Sequence, residues 1–168
     1  MNKDNIIDHF KSGIKEPINS KIGVEHEKFL YYKNNNKRIN YSTIKDIFKI
    51  LYEFGWKPSY EGENVIALNK DNKSITLEPG NQIELAGAQL NNIHEVCSEA
   101  NNYLFELKQV VEKLDLKIVS AGFDPISKLS EIPNNPKKRY EVMTKDMPKG
   151  GPLSLDMMYR TSGTQLNL

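Results

Sequence analysis

Only one cysteine, Cys97, occurs in the 168 residues, so an internal disulfide and a cysteine-built metal cluster are both excluded. Long apolar runs are lacking too: none approaches the roughly 20 residues that a membrane-crossing helix needs, and no membrane partner is expected. Nor is charge of either sign in excess. Lys and Arg number 23 against 22 Asp and Glu, for a formal net charge of +1, which leaves no global attraction to nucleic acid or to an anionic lipid surface. Function must therefore sit in a local site. The opening residues, MNKDNIIDHF, carry neither the apolar core of a secretory leader nor the Arg- and Ser-rich, acid-poor bias of a transit peptide. Together with the single cysteine, this sets the expectation of a cytoplasmic protein. There is no Walker-type glycine loop and no internal repeat. The lone tryptophan, Trp56, is expected in the core or at its rim.

What is present is alternation. The stretch SITLEPGNQIELAG, residues 74–87, places Ile75 and Leu77 against Thr76 and Glu78, then, after a Pro-Gly-Asn turn, Ile83 and Leu85 against Gln82 and Glu84. Successive strand side chains point to opposite faces, so the aliphatics share one side of this hairpin and Glu78, Gln82 and Glu84 the other. In KIGVEHEKF the same period puts Glu25 and Glu27 on one face and Ile22, Val24 and His26 on the other. Such acids can be the solvated side of an antiparallel sheet. Glu and Gly are poor strand formers, however, and few basic residues flank these acids to pair with them. Carboxylates gathered on one face repel one another until a cation intervenes, and all-oxygen ligands suit Mg²⁺ or Mn²⁺.

The length fits one domain, able to bury about 70% of its unfolded surface. Along the chain, residues 2–13 predict a short amphipathic helix with Ile6, Ile7 and Phe10 packed on the sheet. The acidic strand runs from Lys21 to about Tyr32. A second helix starts at Ser42 as N-cap and carries Ile44, Ile47, Phe48, Leu51 and Tyr52 to a stop at Gly55. A strand follows over residues 60–68, with a turn at 69–73. The longest helix spans Leu90 to Leu116, capped by Asn91 or Asn92, with Ile93, Val96, Cys97, Ala100, Leu104, Leu107, Val110, Val111 and Leu114 as its apolar stripe. His94 and Cys97, at i and i+3, are packing residues, since two ligands do not make a zinc site. A strand at 117–122, a Pro- and Asn-rich loop, a short helix from Tyr140 to Met147 and a last strand with Thr161, Gly163, Gln165 and Asn167 on one face complete the order; Met157 and Met158 are read as core. The fold class is α+β, an antiparallel sheet with helices packed on one face. Because the chain stops within a regular alternation, it is expected to be truncated at its C-terminus.

Taken together, IGVEHEKF, GWKPSYEGENVIAL, SITLEPGNQIELAGAQL with IHEVCSEAN, PKKRYEVMTKDMP and LSLDMMYRTSGTQLNL resemble the plant and proteobacterial type of glutamate–cysteine ligase, a carboxylate-amine ligase with a glutamine-synthetase-like catalytic sheet. One departure is visible: the family commonly has Cys-Thr-Val where Ser162, Gly163 and Thr164 stand, which removes a thiol-based redox control at that position. The resemblance implies that residues 1–168 are the N-terminal part of a single catalytic domain. It implies ATP-dependent joining of L-glutamate, through a γ-glutamyl phosphate, to L-cysteine, the first step of glutathione synthesis. Glu25, Glu27, Glu78 and Glu84 are then candidates to hold Mg²⁺ or Mn²⁺, with Gln165 as a neutral oxygen ligand and Asn167 beside it lining the nucleotide site. Arg139 and Arg160 are candidates to hold carboxylate or phosphate through bidentate hydrogen bonds. Two alternatives stay open: a related ligase using another amine, and an inactive fragment that at most binds Mg²⁺ or glutamate.

Overall fold

A computed structural model describes residues 2–16 and 20–168. The expected α+β architecture is present: among the described residues seven strands form one antiparallel sheet, with five α-helices. In chain order these are α1 (Lys3–Ser12), β1 (Gly23–Tyr32), α2 (Tyr41–Leu51), β2 (Lys57–Glu61), β3 (Asn64–Lys70), β4 (Lys73–Glu78), β5 (Gln82–Ala86), α3 (Ile93–Lys113), β6 (Leu116–Val119), α4 (Lys138–Asp146), α5 (Ser154–Arg160) and β7 (Thr164–Asn167). Strand order is β2-β3-β4-β5-β1-β6, and β7 also pairs with β1. The expected single strand over 60–68 is two strands, β2 and β3, joined across Gly62, whose φ of 59° makes the tight reversal. Strand β1 is therefore the hub: it pairs with β5 through residues 25–28, with β7 through 23–26 and with β6 through 29–32.

The apolar face of the sheet carries Leu30, Leu68, Ile75, Leu77, Ile83 and Leu85, all buried, and α2 and α3 lie on it. Helix α2 contributes Ile44, Ile47, Phe48 and Leu51, at the 3- and 4-residue steps that make one helical stripe. Its N-cap is Asn40, whose side chain accepts from Thr43 N; Ser42, the expected cap, is already helical. Helix α3 buries Val96, Tyr103, Leu107, Val110 and Val111. Leu104, at 43% exposure, Cys97 and Ile93 face outward, so the expected stripe is rotated: Tyr103 offers more apolar area than its neighbour and takes the inward position. Trp56 is buried, and its indole N–H donates to Glu106 Oε2 at 2.6 Å.

Helix α1 departs from expectation. It is well formed, with Asn2 accepting from Asn5 N, yet it buries no residue: Ile6, Ile7 and Phe10 are exposed rather than packed on the sheet. The aliphatics of α2 and α3 already cover the apolar face.

A second layer closes part of the opposite face. Toward the end of β1 the glutamates give way to Phe29 and Tyr31, both fully buried. They lie under the guanidinium of Arg38, 4.7 Å from the Phe29 ring centroid and 5.8 Å from that of Tyr31. Arg38 forms a fully buried ion pair with Asp124 at 3.0 Å and donates to Gly80 O at 2.6 Å. Burial alone would raise the Asp124 carboxyl, but the Ser127 and Ile126 N–H groups, with Tyr31 and Arg38, outweigh it and hold the pKa at about 2. Around this pair a small cluster of Ile132, Tyr140, Met158 and Tyr159 packs α4 and α5 over the Pro79–Asn81 turn. Of the two methionines expected in the core, Met158 is buried and Met157 is 57% exposed.

Two outcomes follow. Asp124→Asn leaves Arg38 buried without its counter-charge and should cost about 3–5 kcal/mol, read as a lower urea midpoint. Deleting residues 2–13 should move the thermal midpoint by less than the roughly 2–4 °C that 1 kcal/mol produces at this size. A larger drop would mean that α1 does pack on the domain.

Candidate active site

The register of the strands sets the site. Glu27 stands directly opposite Glu84 across β1 and β5, and Glu84 opposite Thr76 across β5 and β4. Two residues back along β1, Glu25 faces Ala86 on one side and Gln165 on the other. In an antiparallel ladder, opposed residues share a face, so β1, β4, β5 and β7 bring Glu25, Glu27, Glu84, Thr76 and Gln165 to one surface, with Glu78 at its edge. Like charges directly opposite are unfavourable, and here burial adds to the repulsion. Glu84 shows it most: burial first, then the charge of Glu78, push its pKa up to about 7. Burial likewise raises that of Glu27, against the backbone N–H of Gly163, which donates to Glu27 Oε2 at 2.6 Å.

Thr76 supplies an independent sign of the same strain. Its hydroxyl lies 3.2 Å from Glu78 Oε1 and 3.1 Å from Glu84 Oε1. One hydroxyl proton serves one carboxylate, so the other contact is satisfied only when a carboxyl is protonated or a cation is present. Glu25 Oε1 accepts from Asn167 Nδ2 at 3.0 Å, and Gln165 Nε2 donates to Asn167 Oδ1 at 3.0 Å, so β7 lays a strip of amides beside the acids. A depression of about 170 Å³ opens between Glu25, Glu27, Gly163, Thr164 and Gln165. A larger hollow, of about 580 Å³, lies at the sheet rim among Lys57, Asn69, Lys73 and Gly87, but no carboxylates converge there.

Glu78 differs from the other three. Tyr140 O–H donates to its Oε2 at 2.6 Å, Lys137 Nζ lies 3.7 Å from its Oε1, and Asn135 Nδ2 donates to its backbone carbonyl at 2.8 Å. Arg139 is exposed at the first turn of α4, its guanidinium 5.1 Å from the Tyr140 ring centroid. Arg160 is more engaged: Nη1 pairs with Asp156 at 2.8 Å, Nη2 donates to Asp124 O at 3.3 Å, and the guanidinium stacks 4.3 Å from the Phe123 centroid. The site residues that sequence reasoning missed are Lys137, Tyr140 and Thr76. Thr76 was open to detection, since it alternates in phase with Glu78; Lys137 and Tyr140 reach the sheet only through a loop and carry no local signal.

Among the described residues no three Asp, Glu, His or Cys side chains converge tightly enough to hold an ion by themselves. The donor set is nonetheless one of oxygens whose negative charge is only partly offset, which suits Mg²⁺ or Mn²⁺, ions that keep several waters and complete their shell with substrate oxygens. The raised Glu84 pKa has a defined sign. A carboxyl whose folded pKa lies above its unfolded value of 4.5 contributes most stability below pH 4.5 and loses it as pH rises through about 7. In chelator, Glu84→Gln should therefore melt higher than the parent at pH 8 and match it near pH 4.5. Mg²⁺ or Mn²⁺ should raise the parent's midpoint at pH 8 more than at pH 5; equal shifts at the two pH values would remove these carboxylates from ion binding.

Comparison with known proteins accords with this geometry. The family model for glutamate-cysteine ligase family 2 matches residues 21–168. Over 169 aligned positions covering all of this chain, it is 43% identical to glutamate–cysteine ligase A, chloroplastic, of Oryza sativa subsp. japonica, covering 34% of that protein. Against glutamate–cysteine ligase, chloroplastic, of Medicago truncatula it is 41% identical over 33% of the relative, and against that of Arabidopsis thaliana 38% over 32%. The chain thus spans about a third of the length of the curated relatives it matches. The family match over residues 21–168 shows that this chain belongs to glutamate-cysteine ligase family 2.

Proposed function

We propose that this chain forms the acidic half of the site of an ATP-dependent ligase that joins L-glutamate to L-cysteine. The observation that carries the reading is the opposed pair Glu27 and Glu84, with Glu25 two residues along β1, on a sheet face whose negative charge is relieved only in part. In the reaction, the γ-carboxylate of glutamate attacks the γ-phosphorus of ATP, ADP leaves, and a γ-glutamyl phosphate results. The cysteine amine then attacks the acyl carbon, loses a proton and expels phosphate. Phosphoryl transfer asks the protein for positioning and charge compensation more than for covalent help.

Glu25, Glu27 and Glu84, with Glu78 at the edge, are the residues to hold Mg²⁺ or Mn²⁺. The ion supplies neutralisation of the phosphate oxygens. Gln165 and Asn167 line the nucleotide side, an assignment supported by their amides meeting Glu25. Arg139, exposed and without a carboxylate partner within 4 Å among the described residues, is the better placed of the two arginines to take the glutamate or phosphate anion in a bidentate grip. Arg160 reaches an anion only by exchanging its bond to Asp156.

The test is Mg²⁺-dependent ATP hydrolysis requiring both glutamate and cysteine, comparing the 168-residue chain with a form extended by the residues its reading frame encodes after Leu168. Turnover is expected in the extended form, and replacing cysteine with other amino acids reads out the amine. Absence of turnover in both forms would leave the acidic face as a binding surface only. In the active form, Glu27→Gln should lower kcat/KM at least about 100-fold and raise the Mg²⁺ concentration needed for half-activity, an effect of the order seen when a charge-stabilising group is removed from a reacting site. Unaltered Mg²⁺ dependence would take Glu27 out of the metal site.

A further inference from the structure

Lys137 is the cation that the acidic face already contains. It sits immediately before α4, is 91% buried, and is the only Lys or Arg among the described residues with its charged group within 4 Å of the side-chain carboxylate of Glu25, Glu27, Glu78 or Glu84; Lys28 reaches only the backbone carbonyl of Glu27. The contact with Glu78, at 3.7 Å, is an ion pair too long for a good hydrogen bond, and the ammonium makes no hydrogen bond to another described residue. Three features hold it there. Asn135 Oδ1 accepts from the Lys137 backbone N–H at 3.1 Å, while Nδ2 of the same Asn135 donates to Glu78 O. The Lys137 ammonium lies 5.4 Å from the centroid of the Tyr140 ring, whose hydroxyl donates to the second oxygen of Glu78. The same residues form one wall of a cavity of about 300 Å³ that also reaches Thr144, Lys145 and Tyr159. A lysine with a buried stem is costly to desolvate, and the positioning of both sides of this pair by Asn135 and Tyr140 shows that the arrangement is built.

We propose that Lys137 is a resident counter-ion that competes with the divalent cation for Glu78, and so sets how tightly the acidic face binds metal. Without an ion, one ammonium at Glu78 offsets part of the repulsion among four carboxylates. When an ion with its waters lies at Glu78 Oε1 and Glu84 Oε1, the two oxygens that meet at the Thr76 hydroxyl, it sits at the same oxygen of Glu78 as the ammonium, and Coulomb repulsion between them weakens binding. Lys137 then acts through Glu78 as a positioning residue, one that touches no reacting atom. The inference rests on the reading of the acidic face as a divalent-ion site.

The experiment is Mn²⁺ binding to the 168-residue chain, followed by the paramagnetic resonance of free Mn²⁺ and by calorimetry, with no need for turnover. Lys137→Met should tighten Mn²⁺ binding about tenfold, equivalent to ~1.4 kcal/mol. Lys137→Arg, which keeps the charge, should stay within about twofold of the parent, and adding Glu78→Gln to Lys137→Met should cancel the gain. Should Lys137→Met fail to fold, Glu78→Gln alone decides: it should change Mn²⁺ affinity less than Glu84→Gln, because Glu78 is already held by Lys137 and Tyr140. Parent and Lys137→Met binding Mn²⁺ equally would overturn the role of Lys137 while leaving the metal site standing. If neither binds Mn²⁺ at millimolar concentration, the metal site and this inference both fall.

Discussion

Arg38 is the point through which the two layers of the molecule are joined. Its guanidinium lies over Phe29 and Tyr31, pairs with Asp124 in a fully buried contact and donates to Gly80 O in the turn between β4 and β5. A buried pair of this kind adds little net stability, because desolvating both ions offsets their attraction, but it tolerates almost no alternative arrangement. The consequence reaches the site directly. Gly80 lies between Glu78 and Glu84, so the residue that clamps the turn also fixes the separation of two of the acids. The clamp is tight: Gly80 has φ of 67°, and a Cβ there would come within 2.6 Å of Ile132.

The acidic face shows the opposite economy. On its other face the sheet follows ordinary rules, with aliphatics buried under α2 and α3. At Glu27 and Glu84 two carboxylates oppose each other across neighbouring strands, one backed by a single backbone N–H, the other by a hydroxyl it shares with Glu78. Such local conflict is kept in natural proteins where a ligand resolves it. The unit that bears the conflict is also the best anchored, since β1 pairs with three other strands. Rigid support under a frustrated surface is what a site of charge compensation needs, because the donors must hold their places before the charge arrives.

Much of this was legible in the chain. The period of 2 places Glu25 and Glu27 on one face of the strand in KIGVEHEKF, and Glu78 and Glu84 on one face of the hairpin in SITLEPGNQIELAG, by local geometry alone. The helical stripes of α2 and most of α3 follow in the same way. Where the reading missed, a competing contact decided. Helix α1 has an apolar stripe and no surface to lay it on, Tyr103 displaced Leu104 from the inward side of α3, and Met157 turned outward while Met158 filled the small second core.

By itself, then, the amino-acid order determined the α+β class, the two faces of the sheet, the amide strip of Gln165 and Asn167 and the family, because each depends on short-range alternation or on motifs read directly. Only the tertiary structure decided that Glu27 and Glu84 are direct neighbours, that Arg38 finds Asp124 across 86 positions of chain, and that Lys137 and Tyr140 come back to Glu78. The reason is physical. Strand periodicity states which way a side chain points, whereas the partner it meets depends on register and on which loop returns over the sheet, and these are set by the packing of residues far apart in the chain.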